Sequence, residues 1–167
     1  MARQLVARAE SAATDNVARQ GFEQNTTTFG GILRGDLPAK IVYEDDQVLA
    51  FCDIDPASEH HYLVIPKRHI NSTAQLTKDD KPLLEHIVNV GEAIAVANGV
   101  EFPKDDRATG ALAMGFHRWP LLMIPHLHMH VIFPMPASGC WYQTLFPSLD
   151  HFGIWFDTPE DVMARLG

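Results

Sequence analysis

The chain has 167 residues, a formal net charge of −8 and 46% hydrophobic residues. That length suits one compact domain with a substantial core, and no apolar run is long enough to span a membrane. The acidic balance lacks the basic stripe that polymeric nucleic acid demands, so a small-molecule partner is expected rather than DNA or RNA.

Residues 1 to 28 read as an N-terminal extension, flexible or helical. Arg3, Arg8 and Arg19 stand among alanines, but Glu10 and Asp15 argue against a transit peptide, and no apolar secretory region is present. Ile41–Tyr43 and Gln47–Asp53 are strand-like runs separated by the turn-prone Glu44-Asp45-Asp46. His61–Ile65 is a third strand, ended by Pro66. Thr77 and Asp80 form a capping-box-like start, with Pro82 tolerated in the first helical turn. Leu83, Leu84, Ile87, Val88, Gly91, Ile94 and Ala95 then follow a 3.6 period, and Gly99 suits the position that ends the helix. Gly110–His117 and His126–Phe133 are the fourth and fifth strands. The tail from 135 to 167 closes with a short helix opening at Thr158-Pro159-Glu160-Asp161. The pattern predicts an α+β domain, a long helix packed on an antiparallel sheet of about five strands. Cys52 and Cys140 have no metal-ligand spacing and read as reduced thiols, Cys52 as a small strand residue.

The run His126-Leu127-His128-Met129-His130 carries the chemistry. Strand side chains alternate between faces, so His126, His128 and His130 line one face and Leu127 and Met129 the other. Three uses compete for such a row. It could be a polar strand face. It could hold zinc, but the row spreads over about 13 Å by strand rise, so two of its members at most share an ion and a further ligand must come from elsewhere. It could serve phosphoryl chemistry, one imidazole attacking phosphorus while its neighbours hold anionic oxygens.

The alternation of three histidines with apolar residues, continuing through Val131 and Ile132, resembles the signature of the histidine triad proteins. Phe29-Gly30-Gly31-Ile32-Leu33-Arg34-Gly35-Asp36-Leu37-Pro38, Val48-Leu49-Ala50-Phe51-Cys52-Asp53-Ile54-Asp55-Pro56 and His61-Tyr62-Leu63-Val64-Ile65-Pro66-Lys67-Arg68-His69-Ile70 resemble successive blocks of the Hint branch. The resemblance covers residues 29 to 134, taken as the domain.

The resemblance implies a nucleotide-binding hydrolase that cleaves the P–N bond of adenosine 5′-phosphoramidates. It implies that His128 attacks the α-phosphorus, His130 donates to phosphate oxygens, His126 supports the row, and His61 assists phosphate or leaving group. Asp53 matches the acid that takes the ribose hydroxyls. Phe29, Ile32, Leu37, Phe51 and Ile54 match the apolar slot for the base. His117, in Gly115-Phe116-His117, stands where better-known members carry a phosphate-contacting asparagine; a phosphate role and a structural role are both open. No metal or cofactor is implied. The implied partner is AMP or another purine nucleotide, the implied assembly a homodimer built on the long helix, and the implied location cytoplasm and nucleus.

One departure stands out. Active members usually have a serine near Met123 that helps the leaving nitrogen, and no hydroxyl lies between Arg118 and His126 here. Its role would then fall to His61 or His117, or turnover would be slow. Alternatives are hydrolysis of dinucleoside polyphosphates, nucleotidyl transfer, and a nucleotide-sensing module without turnover. His60, His69, His86 and His151 read as surface or structural.

Overall fold

A computed structural model describes residues 24–100, 112–118, 122–134 and 156–167. The extension up to residue 23, Cys140 and His151 lie outside the described residues.

The chain enters through a short helix, α1 (Thr28–Arg34), started by the Thr27 hydroxyl, which accepts from the Gly30 amide at 3.1 Å. Strands β1 (Ile41–Glu44), β2 (Val48–Cys52) and β3 (His60–Pro66) follow. Then comes the long helix α2 (Lys81–Ala97), strands β4 (Ala113–His117), β5 (Met129–Phe133) and β6 (Phe156–Asp157), and the terminal helix α3 (Pro159–Leu166). The strands form one six-stranded sheet in the order β1-β2-β3-β5-β4-β6, every neighbouring pair antiparallel. The α+β layout and the long helix match the sequence pattern, and β6 is an additional short strand.

The boundaries of α2 follow from its sequence. The Asp80 carboxylate accepts from the Thr77 backbone at 2.8 Å and from the Thr77 hydroxyl at 3.0 Å, capping the 3-10 turn Lys78–Asp80 that leads into α2. Gly99 lies just past the helix end at φ 90°, a conformation glycine adopts without strain.

The sheet separates two apolar layers. On one face Val48, Val64, Met129 and Val131 meet Leu84, Ile87 and Ile94 of α2. Gly91 lets the helix come close, since a Cβ there would press on the Met129, Met114 and Val131 side chains. On the other face Leu49, Phe51, Leu63 and Ile65 pack around Phe29 of α1. Alternation along β3, β4 and β5 puts His61, His117 and His130 on this second face, with Leu63 paired to His130 and Gly115 to His130 across the ladders.

The fifth strand is shorter than the alternation implies. Pairing begins at Met129; His126 and His128 lie in the segment that leads into it, where the Leu127 amide bonds the Ile70 carbonyl at 2.6 Å. The alternation of faces nevertheless persists: Leu127 joins the α2 layer, while His126 and His128 lie against Phe29 on the other.

Candidate active site

Four histidines of the site are buried: His61, His126, His128 and His130. Buried polar atoms need partners, and the partners here determine where each proton sits.

The Nδ1 of His128 lies 2.6 Å from the His126 carbonyl. A carbonyl can only accept, so His128 carries its proton on Nδ1 and keeps a lone pair on Nε2. The Nε2 of His126 faces the Pro66 carbonyl at 2.8 Å, so that ring is protonated on Nε2. Its Nδ1 then accepts from the Asn25 amide at 2.8 Å. Asn25 is held in that orientation because its Oδ1 accepts from the Thr27 backbone at 3.0 Å and from the Thr27 hydroxyl at 2.7 Å.

A second series runs in from the β2–β3 turn. The Ala57 backbone N–H donates to Nδ1 of His61 at 3.1 Å. The His61 proton must therefore sit on Nε2, 2.9 Å from Nδ1 of His130, to which it donates. By the same logic His130 is protonated on Nε2. The site thus presents a bare nitrogen on His128 beside an N–H on His130, with ring centroids 5.0 Å apart. That pairing of nucleophile and anion donor is what attack on a phosphoryl group requires.

Burial keeps these rings neutral. It lowers His61, His126 and His128 to about 4, and His130 well below the ordinary imidazole value of 6.5. Asp53 sits beside this network, its Oδ2 3.4 Å from His61 Nε2 and its Oδ1 accepting from the Asp55 amide at 2.9 Å. Burial raises its carboxyl above the ordinary value.

Two groups could hold a metal ion by distance. Donor atoms of His117, His128 and His130 lie within 4.8 Å of one another, as do those of Asp53, His61 and His130. By distance, His117 is the one residue outside the row, among the described residues, that joins His128 and His130 in such a group. The proton on His130 Nε2 makes that ring a hydrogen-bond donor, so a cation there would have to displace it.

Comparison with known proteins fits this geometry. Residues 26–144 match the family model described as "Scavenger mRNA decapping enzyme C-term binding". The adenosine 5′-monophosphoramidase HINT3 of Danio rerio is 40% identical over 117 residues, 70% of this chain and 69% of its own. The chain belongs to the histidine triad superfamily, as a Hint-type member. The bifunctional adenosine 5′-phosphosulfate phosphorylase/adenylylsulfatase HINT4 of Arabidopsis thaliana is 32% identical over 140 residues, 83% of this chain and 89% of its own. The crystal structure of a HIT family hydrolase from Legionella pneumophila Philadelphia 1 superimposes with a TM-score of 0.58 at 29% identity, over 67% of this chain and 96% of that one.

In this Hint-type chain the residues expected to form the base slot divide. Phe29 and Phe51 are buried in the layer under the histidines, their rings edge-on at 5.5 Å. Ile32 is partly buried against the same layer. Leu37 is 44% exposed and Ile54 is 99% exposed. Phe29 and Phe51 thus lie beneath the histidines, while Leu37 and Ile54 leave apolar surface exposed. His117 ends β4 half-buried, its ring 4.5 Å from that of His130. His86, expected to be solvated, bonds the Asp45 carboxylate at 2.7 Å. His69 faces the Pro125 carbonyl at 2.9 Å, a structural role.

Sequence reading missed two groups. Asn25 lies in the segment set apart as an extension, yet it is buried against His126. Phe156 of β6 packs its ring at 5.3 Å from His117 and 6.3 Å from His130. Asp157, beside it, is buried and ties the strand down, accepting from Arg118 at 2.6 Å and from Arg165 at 2.9 Å. The capping Thr158 and the neighbouring aromatic residues were the only local signals for this strand.

Proposed function

We propose that this protein hydrolyses the P–N bond of adenosine 5′-phosphoramidates, with His128 as nucleophile and without a metal. The observation that carries the reading is the 2.6 Å bond from His128 Nδ1 to the His126 carbonyl, which leaves Nε2 bare beside the N–H of His130. A neutral imidazole in that tautomer attacks phosphorus, and its bonded N–H supports the positive charge that forms on adenylation. His130 donates to the phosphoryl oxygens as charge shifts onto them. Asp53 accepts the ribose hydroxyls, and the base lies over Ile54 and Leu37. The name of the Danio rerio relative supports this substrate class.

The test is intact mass of protein mixed briefly with adenosine 5′-phosphoramidate, without acid quenching. Wild type should gain the mass of an adenylyl group and release AMP, and His128→Ala should do neither. Bound AMP with no adduct and no turnover in wild type would leave a sensing module instead.

A further inference from the structure

Breaking a P–N bond requires a proton for the nitrogen, because an amide anion is not a viable leaving group in water. No hydroxyl lies between Arg118 and His126 to relay one. Two imidazoles outside the triad are near enough to be considered, His61 and His117.

The ring of His61 is committed. Its Nδ1 accepts from the Ala57 amide and its Nε2 donates to His130, and the residue is buried. Giving up the Nε2 proton would undo the series that orients His130. His117 differs in exposure. It ends β4 half-buried, where water can return a proton after each turnover. A nitrogen of its ring lies within 4.8 Å of those of His128 and His130. A phosphoryl group attacked by His128 from about 3–3.5 Å is therefore within reach of the pocket that His117 borders. The edge-on ring of Phe156 limits how that imidazole can turn.

We infer that His117 is the general acid of this site, protonating the departing nitrogen as His128 attacks phosphorus. The inference rests on the phosphoramidase reading. In the first step the His128 Nε2 lone pair forms the new bond to phosphorus. The P–N electrons pass to the leaving nitrogen, and the His117 proton joins them, so ammonia departs and His117 is left neutral. In the second step water attacks the same phosphorus and gives its proton to His117. The electrons of the P–His128 bond return to Nε2, and AMP leaves. The site ends as it began.

Electrostatics agrees with this assignment. After burial, a positive charge on His117 is among the influences that hold His61, His128 and His130 neutral. The same charge favours the carboxylate of Asp53.

Leaving-group dependence tests the idea. Adenosine 5′-phosphoramidate needs a proton on its leaving atom, whereas the 4-nitrophenyl ester of AMP releases a stable phenolate without one. His117→Asn should lower kcat/KM for the phosphoramidate by about 100-fold or more, within the usual range for a lost general acid. The loss on the ester should be smaller by about tenfold or more, since no acid assistance is there to lose. The fall in wild-type phosphoramidate turnover toward alkaline pH should disappear in the variant. His117→Gln is the second variant if circular dichroism shows His117→Asn misfolded. Equal losses on both substrates, or an unchanged alkaline limb, would overturn the inference while leaving the hydrolase reading intact. Wild-type protein inert toward both substrates overturns the reading and the inference together.

Discussion

Asn25 donates its side-chain amide to Nδ1 of His126 across 101 residues of sequence, at 2.8 Å. The bond joins the segment ahead of α1 to the first histidine of the triad and, with the Pro66 carbonyl, fixes which nitrogen of that ring bears the proton. His126 is fully buried, so no water substitutes for the donor. Asn25→Leu should cost about 1–3 kcal/mol, the usual penalty for a buried acceptor left unpaired. Urea unfolding with an unchanged slope would report it. A midpoint within error of wild type would mean that the bond does not hold the ring.

The buried imidazoles make the fold acid-sensitive. In the folded state His61, His126 and His128 take up protons only near pH 4, whereas the unfolded chain binds them near the ordinary 6.5. A base depressed on folding stabilises fully above the unfolded value, and that stability drains away as pH falls toward the folded one. Each such shift is worth roughly 3 kcal/mol at full effect. Asp53, raised by burial, works in the opposite sense over the lower part of the window. Asp157 adds little there: burial pushes its carboxyl up, but bonds to Arg165 and Arg118 hold it below the ordinary carboxylate value. The urea midpoint should therefore drop steeply from pH 7 to pH 5. A flat profile across that range would show that the rings are not buried as described.

The parts of the site that sequence exposed are those encoded locally. Period-two alternation places His61 and His130 on one sheet face, and period 3.6 marks the α2 surface that covers the other. The capping residues Thr77 and Asp80 announce the short turn that leads into that helix. What sequence concealed depends on partners far along the chain. Asn25 looks like one polar residue among several until His126 is beside it. Phe156–Asp157 is too short to show a period and becomes a strand only because β4 lies open next to it. The strand expected to begin at His126 pairs only from Met129, because Leu127 bonds Ile70 instead of a neighbouring strand.

The two proton-fixing series predict non-additive kinetics. His130→Asn removes the donor aimed at the phosphoryl oxygens and should lower kcat by about 10²–10³. His61→Leu leaves His130 in place but removes the N–H that reaches its Nδ1 at 2.9 Å, so part of the His130 population moves its proton to the wrong nitrogen. Its kcat should fall by less than that of His130→Asn. The double variant should be no slower than His130→Asn alone, because His61 acts through His130. Multiplied losses in the double variant would mean that His61 touches substrate directly.

Gly115 faces the last strand, and its missing side chain is what lets that strand dock. A Cβ at this position would run into the Asp157 carbonyl oxygen and lie 2.5 Å from the Phe156 ring. Neither atom is the free end of a flexible side chain. The carbonyl belongs to a backbone anchored through the Asp157 carboxylate, and the ring is wedged against His117 and His130. Gly115→Ala should therefore lift β6 from β4 rather than be absorbed locally, at about 1–3 kcal/mol, the usual cost of overpacking. Because Phe156 limits the turning of His117, the same change should lower phosphoramidate turnover, while AMP binding is largely kept if, as proposed, Asp53 and the base slot carry it. Hydrogen exchange would show loss of protection confined to the amides of β4 and β6. Unaltered protection at β6 together with unaltered turnover would show that the terminal strand is not part of the active-site wall.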